Sequence, residues 1–68
     1  MDTKKIGQRI ADLRKKKRET QAELAEAIGV TQSAVTLYEN GLRTPSDVVK
    51  KRIAEHFKVS VARIFFTD

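Results

Sequence analysis

His56 is the only histidine and the chain has no cysteine, so no Cys/His nucleophile pair and no thiolate metal site can be assembled. With no second ligand or nucleophile to work with, His56 reads as a surface or edge residue. Glu23 and Glu26 lie three apart, a spacing that puts two carboxylates on one face of a helix. They lack a pocket and partners, and Glu23 has a structural use described below. The chain offers no nucleophile–base set, no metal cluster and no phosphate-cradling glycine loop. Catalysis is therefore the least supported class, and no cofactor, metal or small-molecule ligand is expected.

The remaining chemistry is charge. Fourteen Lys and Arg stand against nine Asp and Glu in 68 residues, a formal charge of +5. Such an excess favours polyanion partners, nucleic acid first and an anionic membrane second. The basic residues come in blocks, Arg14 to Arg18 and Lys50 to Arg52, with Arg43 between them. Either block taken alone is equally well a solvated helix face. The blocks flank an island, TQAELAEAIGVTQSAVTLYENG from Thr20 to Gly41, that contains no Lys or Arg. Its polar groups are amides, hydroxyls and a few carboxylates.

The elements that must carry these groups can be read from period and punctuation. Ile6, Ile10 and Leu13 recur at spacings of four and three, which predicts a first helix over 4–17. Thr20-Gln21-Ala22-Glu23 fits a capping box that opens a second helix. Leu24, Ala25 and Ile28 form its apolar face, and Gly29 ends it by taking the left-handed conformation cheaply. Thr31 caps a third helix from Gln32 to about Glu39, with Val35 and Tyr38 facing inward and Gln32, Ser33, Thr36 and Leu37 pointing elsewhere. Asn40-Gly41 closes it. Thr44-Pro45-Ser46-Asp47 reads as a cap, a proline at the first helical position and an acid in the first turn of a fourth helix. Val49, Ile53 and Phe57 lie four apart with Ala54 beside them, and that helix ends near Lys58. Ser60 caps a last short turn with Ile64 and Phe65. No strand pattern, repeat or linker is seen. The chain reads as one all-α domain, residues 1–68, of five short helices.

The second and third helices and their glycine turn form a helix-turn-helix over about 20–41. A close crossing needs a small inner residue, Ala25. The turn needs a residue tolerant of positive φ, Gly29, and the third helix needs core anchors, Val35 and Tyr38. On these residues, TQAELAEAIGVTQSAVTLYENGLRTPS resembles the Cro/repressor family of phage repressors and Xre-type bacterial regulators, and the likeness extends from Ile6 through VSVARIFF. The resemblance implies a five-helix, lambda-repressor-like domain that lays its third helix in the major groove of double-stranded DNA. It also implies a homodimer on an operator with two-fold symmetry. Gln21 matches the glutamine that bonds a phosphate at the start of the second helix. Gln32 matches the glutamine that pairs with adenine, and Ser33, Thr36 and Leu37 occupy the other groove-facing positions. Thr31, Asn40 and Arg43 match phosphate contacts, with Lys17 and Arg18 adding to them from the basic flank. Arg14 and Glu39 match a partly buried ion pair. The island then separates specifying from positioning: uncharged groups read bases while the flanks hold the backbone.

Four positions depart from the family pattern. Glu19 stands where a buried leucine is usual and Arg18 where glycine or asparagine is common, so the first link is more exposed or the first helix longer. Lys50 replaces a leucine and thins the apolar face of the fourth helix. Leu37 replaces a polar or basic residue, so base preference is not inherited. Near the C-terminus, Ile64 completes the core, and the adjacent Phe65 and Phe66 present an apolar patch suited to a homodimer contact. The alternative is that both fold back onto the first or fifth helix. A protein-interaction module, such as an antitoxin-like or co-regulator domain using these aromatics, is the competing functional class. Membrane binding through Arg14–Arg18 lacks an adjacent apolar anchor. With no apolar run of membrane-spanning length and no signal-peptide pattern, the expected compartment is the cytoplasm.

Overall fold

The computed structural model describes residues 2–67, which fold as α1 Thr3–Lys16, α2 Gln21–Ile28, α3 Gln32–Glu39, α4 Asp47–Phe57 and α5 Val61–Phe65. Every helix begins on a side-chain cap. Asp2 accepts from the backbone N–H groups of Lys4 and Lys5 at 3.0 and 3.2 Å, which starts α1 one residue before the apolar period suggested. Thr20 and Glu23 form the reciprocal capping box: Thr20 Oγ1 accepts from Glu23 N at 3.0 Å and Glu23 Oε1 from Thr20 N at 2.8 Å. Thr31, Ser46 and Ser60 cap the other three.

The fourth start corrects the sequence reading. Thr44 is not the cap and Pro45 is not in the helix. Ser46 caps through a bond from Val49 N, the helix begins at Asp47, and Pro45 is buried ahead of it. A hydroxyl that can reach an orphan N–H outranks a proline placed for the first turn.

Helices α1 to α4 share one kind of ending. In each, a residue at positive φ is followed by an N–H that reaches back five residues to a carbonyl: Glu19 to Arg14, Val30 to Ala25, Leu42 to Leu37 and Val59 to Ala54, at 2.9–3.1 Å. Gly29 and Gly41 supply the positive φ of two of these closures, as their types suggest. Arg18 at φ 58 and Lys58 at φ 56 supply the other two against their steric preference. The first helix therefore does not run on; it stops at Lys16 and Arg18 turns the chain.

The helix α3 packs against both α1 and α2, α2 also meets α4, and α5 returns to cover α1 and α4. The core joins Ile6, Ile10, Leu24, Ala25, Ile28, Ala34, Val35, Tyr38, Ile53, Ala54, Ile64 and Phe65. Leu13, Val49 and Phe57 border it. Helices α1 and α3 cross closely at Gly7, where a Cβ would lie 2.4 Å from the Tyr38 carbonyl oxygen and 2.5 Å from that of Glu39. Arg9 Nη1 donates to the Ile64 carbonyl at 2.9 Å and pins α5 to α1.

The C-terminal aromatic pair divides. Phe65 is 1% exposed and belongs to the core, whereas Phe66 is 63% exposed. This removes Phe65 from the exposed pair expected as a dimer patch: on a helix, adjacent residues point about 100° apart, and the short α5 turns one ring in and the next out. Lys50, the apparent gap in the apolar face of α4, has its ammonium 5.5 Å from the centroids of both rings. Its methylene stem fills space while its charge rests on aromatic faces.

Candidate nucleic-acid interface

Helix α3 is held on its inner side by Ala34, Val35 and Tyr38, all buried. That leaves Gln32 and Ser33 exposed at its first turn and Thr36 and Leu37 half-buried one turn later. Thr31 is exposed, and its hydroxyl oxygen accepts from Ala34 N at 3.1 Å, which fixes the start of the helix. Asn40, Arg43, Lys17 and Arg18 are all exposed, the first two after α3 and the last two in the α1–α2 link. The exposed part of α3 thus offers amide, hydroxyl and methyl groups without charge, and the cations belong to the segments that precede α2 and follow α3. Leu42, 74% exposed beside Arg43, was not singled out by sequence reasoning, since a lone leucine in a loop carries no pattern.

Beneath this surface runs a chain of polar contacts. Arg14 Nε donates to Glu39 Oε2 at 2.7 Å and Nη2 to Oε1 at 3.1 Å, a bidentate pair with side chains only 12% and 6% exposed. The Glu39 carboxylate holds the Arg14 guanidinium above its ordinary pKa through that bond, with burial opposing it. Arg14 Nη1 also donates to the Glu19 carbonyl at 2.7 Å. The pair thus ties the end of α1 to the end of α3 and to the link before α2.

Gln21 is more occupied than its family role implies. Its Nε2 donates to Glu39 Oε1 at 3.0 Å and its Oε1 accepts from Thr36 Oγ1 at 2.8 Å. One amide hydrogen is left to its side chain, and the backbone N–H groups of Gln21 and Ala22 have no partner within the helix. A phosphate approaching there meets the positive end of α2 first and the Gln21 amide second. Thr36 also shares its hydroxyl hydrogen with the Gln32 carbonyl at 3.1 Å, which leaves its hydroxyl oxygen only the role of acceptor toward any further partner.

The link carries one contact with no sequence signal. His56 Nε2 lies 2.9 and 2.8 Å from the two carboxylate oxygens of Glu19. Neither spacing nor period relates residues 37 apart, and each alone reads as a surface group. Among the described residues no three His, Cys, Asp or Glu come together as a metal site, and no helix is long and apolar enough to cross a membrane.

Comparison with known proteins adds relatives to this geometry. Residues 10–64 match the family described as Helix-turn-helix. The ImmF control region 10 kDa protein of Bacillus phage phi105 is 41% identical over 54 residues, which are 79% of this chain. The chain spans 60% of the length of that phage protein. Among solved structures, the restriction-modification controller protein C.AhdI from Aeromonas hydrophila superposes with a TM-score of 0.87 at 33% identity, covering 94% of this chain and 97% of that one. The clp gene regulator ClgR from Corynebacterium glutamicum superposes at 0.86 over 97% of this chain and 70% of that one, and at 24% identity it speaks to the fold alone.

Proposed function

Because the chain belongs to the helix-turn-helix family, we propose that it is a DNA-binding transcriptional regulator acting as a dimeric repressor on an operator with two-fold symmetry. The observation that carries this reading is the separation of charge on the α3 surface. Gln32, Ser33, Thr36 and Leu37, assigned here to the groove, hold no charge, while the exposed Lys17, Arg18 and Arg43 lie in the segments before α2 and after α3. A helix studded with lysines would bind any duplex; this one leaves discrimination to Gln32, whose amide suits the N6 and N7 edge of adenine. Repression is steric, by occupation of a site that overlaps a promoter. Both named relatives with more than 30% identity are described as control proteins, which agrees with this role.

Dimerisation is assigned to the face of Phe66, whose exposed ring sits beside the Lys50 ammonium. Phe66→Ser is expected to shift the sedimenting species from dimer to monomer and to weaken binding to a two-half-site duplex. The reading as a whole is tested by selection from a randomised duplex library with salt titration of the enriched pool. An inverted repeat with half-sites about one helical turn apart is the expected product. Gln32→Ala then lowers affinity for that repeat more than for random duplex. Equal losses on both would refute the assignment of Gln32, and no binding at moderate salt would refute the function.

A further inference from the structure

We propose that the Glu19–His56 contact is a positioning device for the phosphate-facing start of α2, which docks the α1–α2 link onto α4 and strengthens when His56 is protonated. The inference rests on the DNA-binding reading above. Three observations carry it.

The first is the pattern of helix endings. After the positive-φ residue, α2 and α4 place Val30 and Val59, which pack against the core. At the end of α1 the same slot holds Glu19, its side chain 17% exposed and bonded to an equally covered His56. A polar pair occupies a place where two of the three sister closures use an apolar plug, the third leaving Leu42 in solvent.

The second is location. Glu19 is followed by the cap Thr20 and by Gln21, and preceded by Arg18. Its carbonyl accepts from Arg14 Nη1, and its carboxylate meets the ring of His56. Both ends of this residue are therefore fixed, one to α1 and one to α4, and the N-terminus of α2 is carried between them.

The third is the chemistry of the contact. A single ring nitrogen reaches both carboxylate oxygens, so one N–H is shared between them. A charged imidazolium makes that bond charge-assisted. A neutral ring either donates more weakly or, with its hydrogen on Nδ1, turns a lone pair against the carboxylate. Among the described residues the charged group bonded to the ring is Glu19 from the link, whose carbonyl accepts from Arg14 of α1. On α4, Arg52 one turn earlier is drawn off toward the Ile28 carbonyl at 3.4 Å and Glu55 is exposed. Among the described residues no second carboxylate bonds His56 Nε2. Loss of the imidazolium also leaves a bare negative charge one residue before a phosphate-binding cap. DNA affinity therefore follows the charge on the ring.

The test uses a duplex carrying the enriched repeat, with wild type, His56→Gln and Glu19→Gln titrated from pH 5.5 to 8 at several salt concentrations. Wild-type affinity is expected to fall roughly threefold more than that of either variant as pH rises, with the salt slope the same in all three. A variant profile parallel to wild type overturns the proposal, as does a salt slope reduced by about one phosphate, which would make His56 a direct contact. Should either variant unfold, NMR of wild type decides: the Thr20 and Gln21 amide shifts are expected to track the His56 ring signals through the titration, and amides indifferent to that ring overturn the proposal. Absence of wild-type binding at every pH would instead remove the DNA-binding reading.

Discussion

Replacing Gly7 by alanine puts two effects in opposition. Alanine is the better helix former by about 1 kcal/mol. A Cβ at this position, however, would lie 2.4 Å from the Tyr38 carbonyl oxygen and 2.8 Å from the Glu39 carbonyl carbon, against an ordinary contact of 3.4–4 Å. The obstacle is backbone at the end of α3, which cannot rotate aside. Relief requires α1 to withdraw from α3 by roughly 1 Å, which loosens Ile6 and Ile10 and disturbs the Arg14–Glu39 pair. Overpacking of this kind costs about 1–3 kcal/mol, and withdrawal of a whole helix lies at the upper end. The net destabilisation is about 2 kcal/mol. In a domain this small each kcal/mol moves Tm by roughly 4–8 °C, so Gly7→Ala is expected to melt about 8–16 °C below wild type. Thermal and urea unfolding followed by far-UV circular dichroism measure this directly, with Lys16→Ala on the exposed face of α1 as a control expected within about 0.5 kcal/mol of wild type. An alanine variant as stable as wild type would refute the close crossing.

Breaking the Arg14–Glu39 pair by Arg14→Met leaves a carboxylate buried among protein groups and is expected to cost about 3–5 kcal/mol in urea unfolding; a loss under 1 kcal/mol would mean that the pair is not sequestered. Arg18→Gly relieves a positive φ and is expected to raise stability by about 0.5–1 kcal/mol while reducing the salt slope of duplex binding, so a variant that loses both stability and slope contradicts the closure described for α1. Acid sensitivity has a definite sign. The Lys5 backbone bond lowers the Asp2 carboxyl and the Thr20 backbone bond lowers that of Glu23, so their stabilisation is present above the unfolded carboxyl range near pH 4 and is lost as pH falls below it. Thermal melts between pH 2 and 6 should show the decline, and Asp2→Asn with Glu23→Gln should flatten it; an unchanged slope in the double variant excludes these caps as its source.

What could be read from the sequence was local. The Thr20–Glu23 box, the turn at Gly29 and the cap at Thr31 are each decided by residues within four positions, and they stand where the sequence places them. The inward Leu24, Val35 and Tyr38 follow from the 3.6-residue period. Three features escaped for physical reasons. Gly7 was passed over because its value lies in the distance to α3, which no single segment encodes. Arg18 and Lys58 adopt a conformation that their types disfavour, so closures seen easily at glycine were invisible there. Glu19 and His56 each look like surface groups until α4 is folded against the α1–α2 link. The Thr44-Pro45 start was misread because two adjacent capping signals competed and local rules rank them poorly. At the interface, residue types suggested which groups face outward, but the engagement of Gln21 with Glu39 and Thr36 required the packing of three helices.

The return of α5 across α1 and α4 has a consequence for turnover. Ile64 and Phe65 come from a five-residue helix joined to the rest by residues 58–60, and Lys58 and Ser60 in that joint are exposed. A single trypsin-like cut after Lys58 would free two fully covered side chains and the Arg9 tether together from the core that α5 shares with α1 and α4. In a domain with so small a core, one nick there is expected to lower the stability of the whole fold, although the bond lies outside the helix-turn-helix.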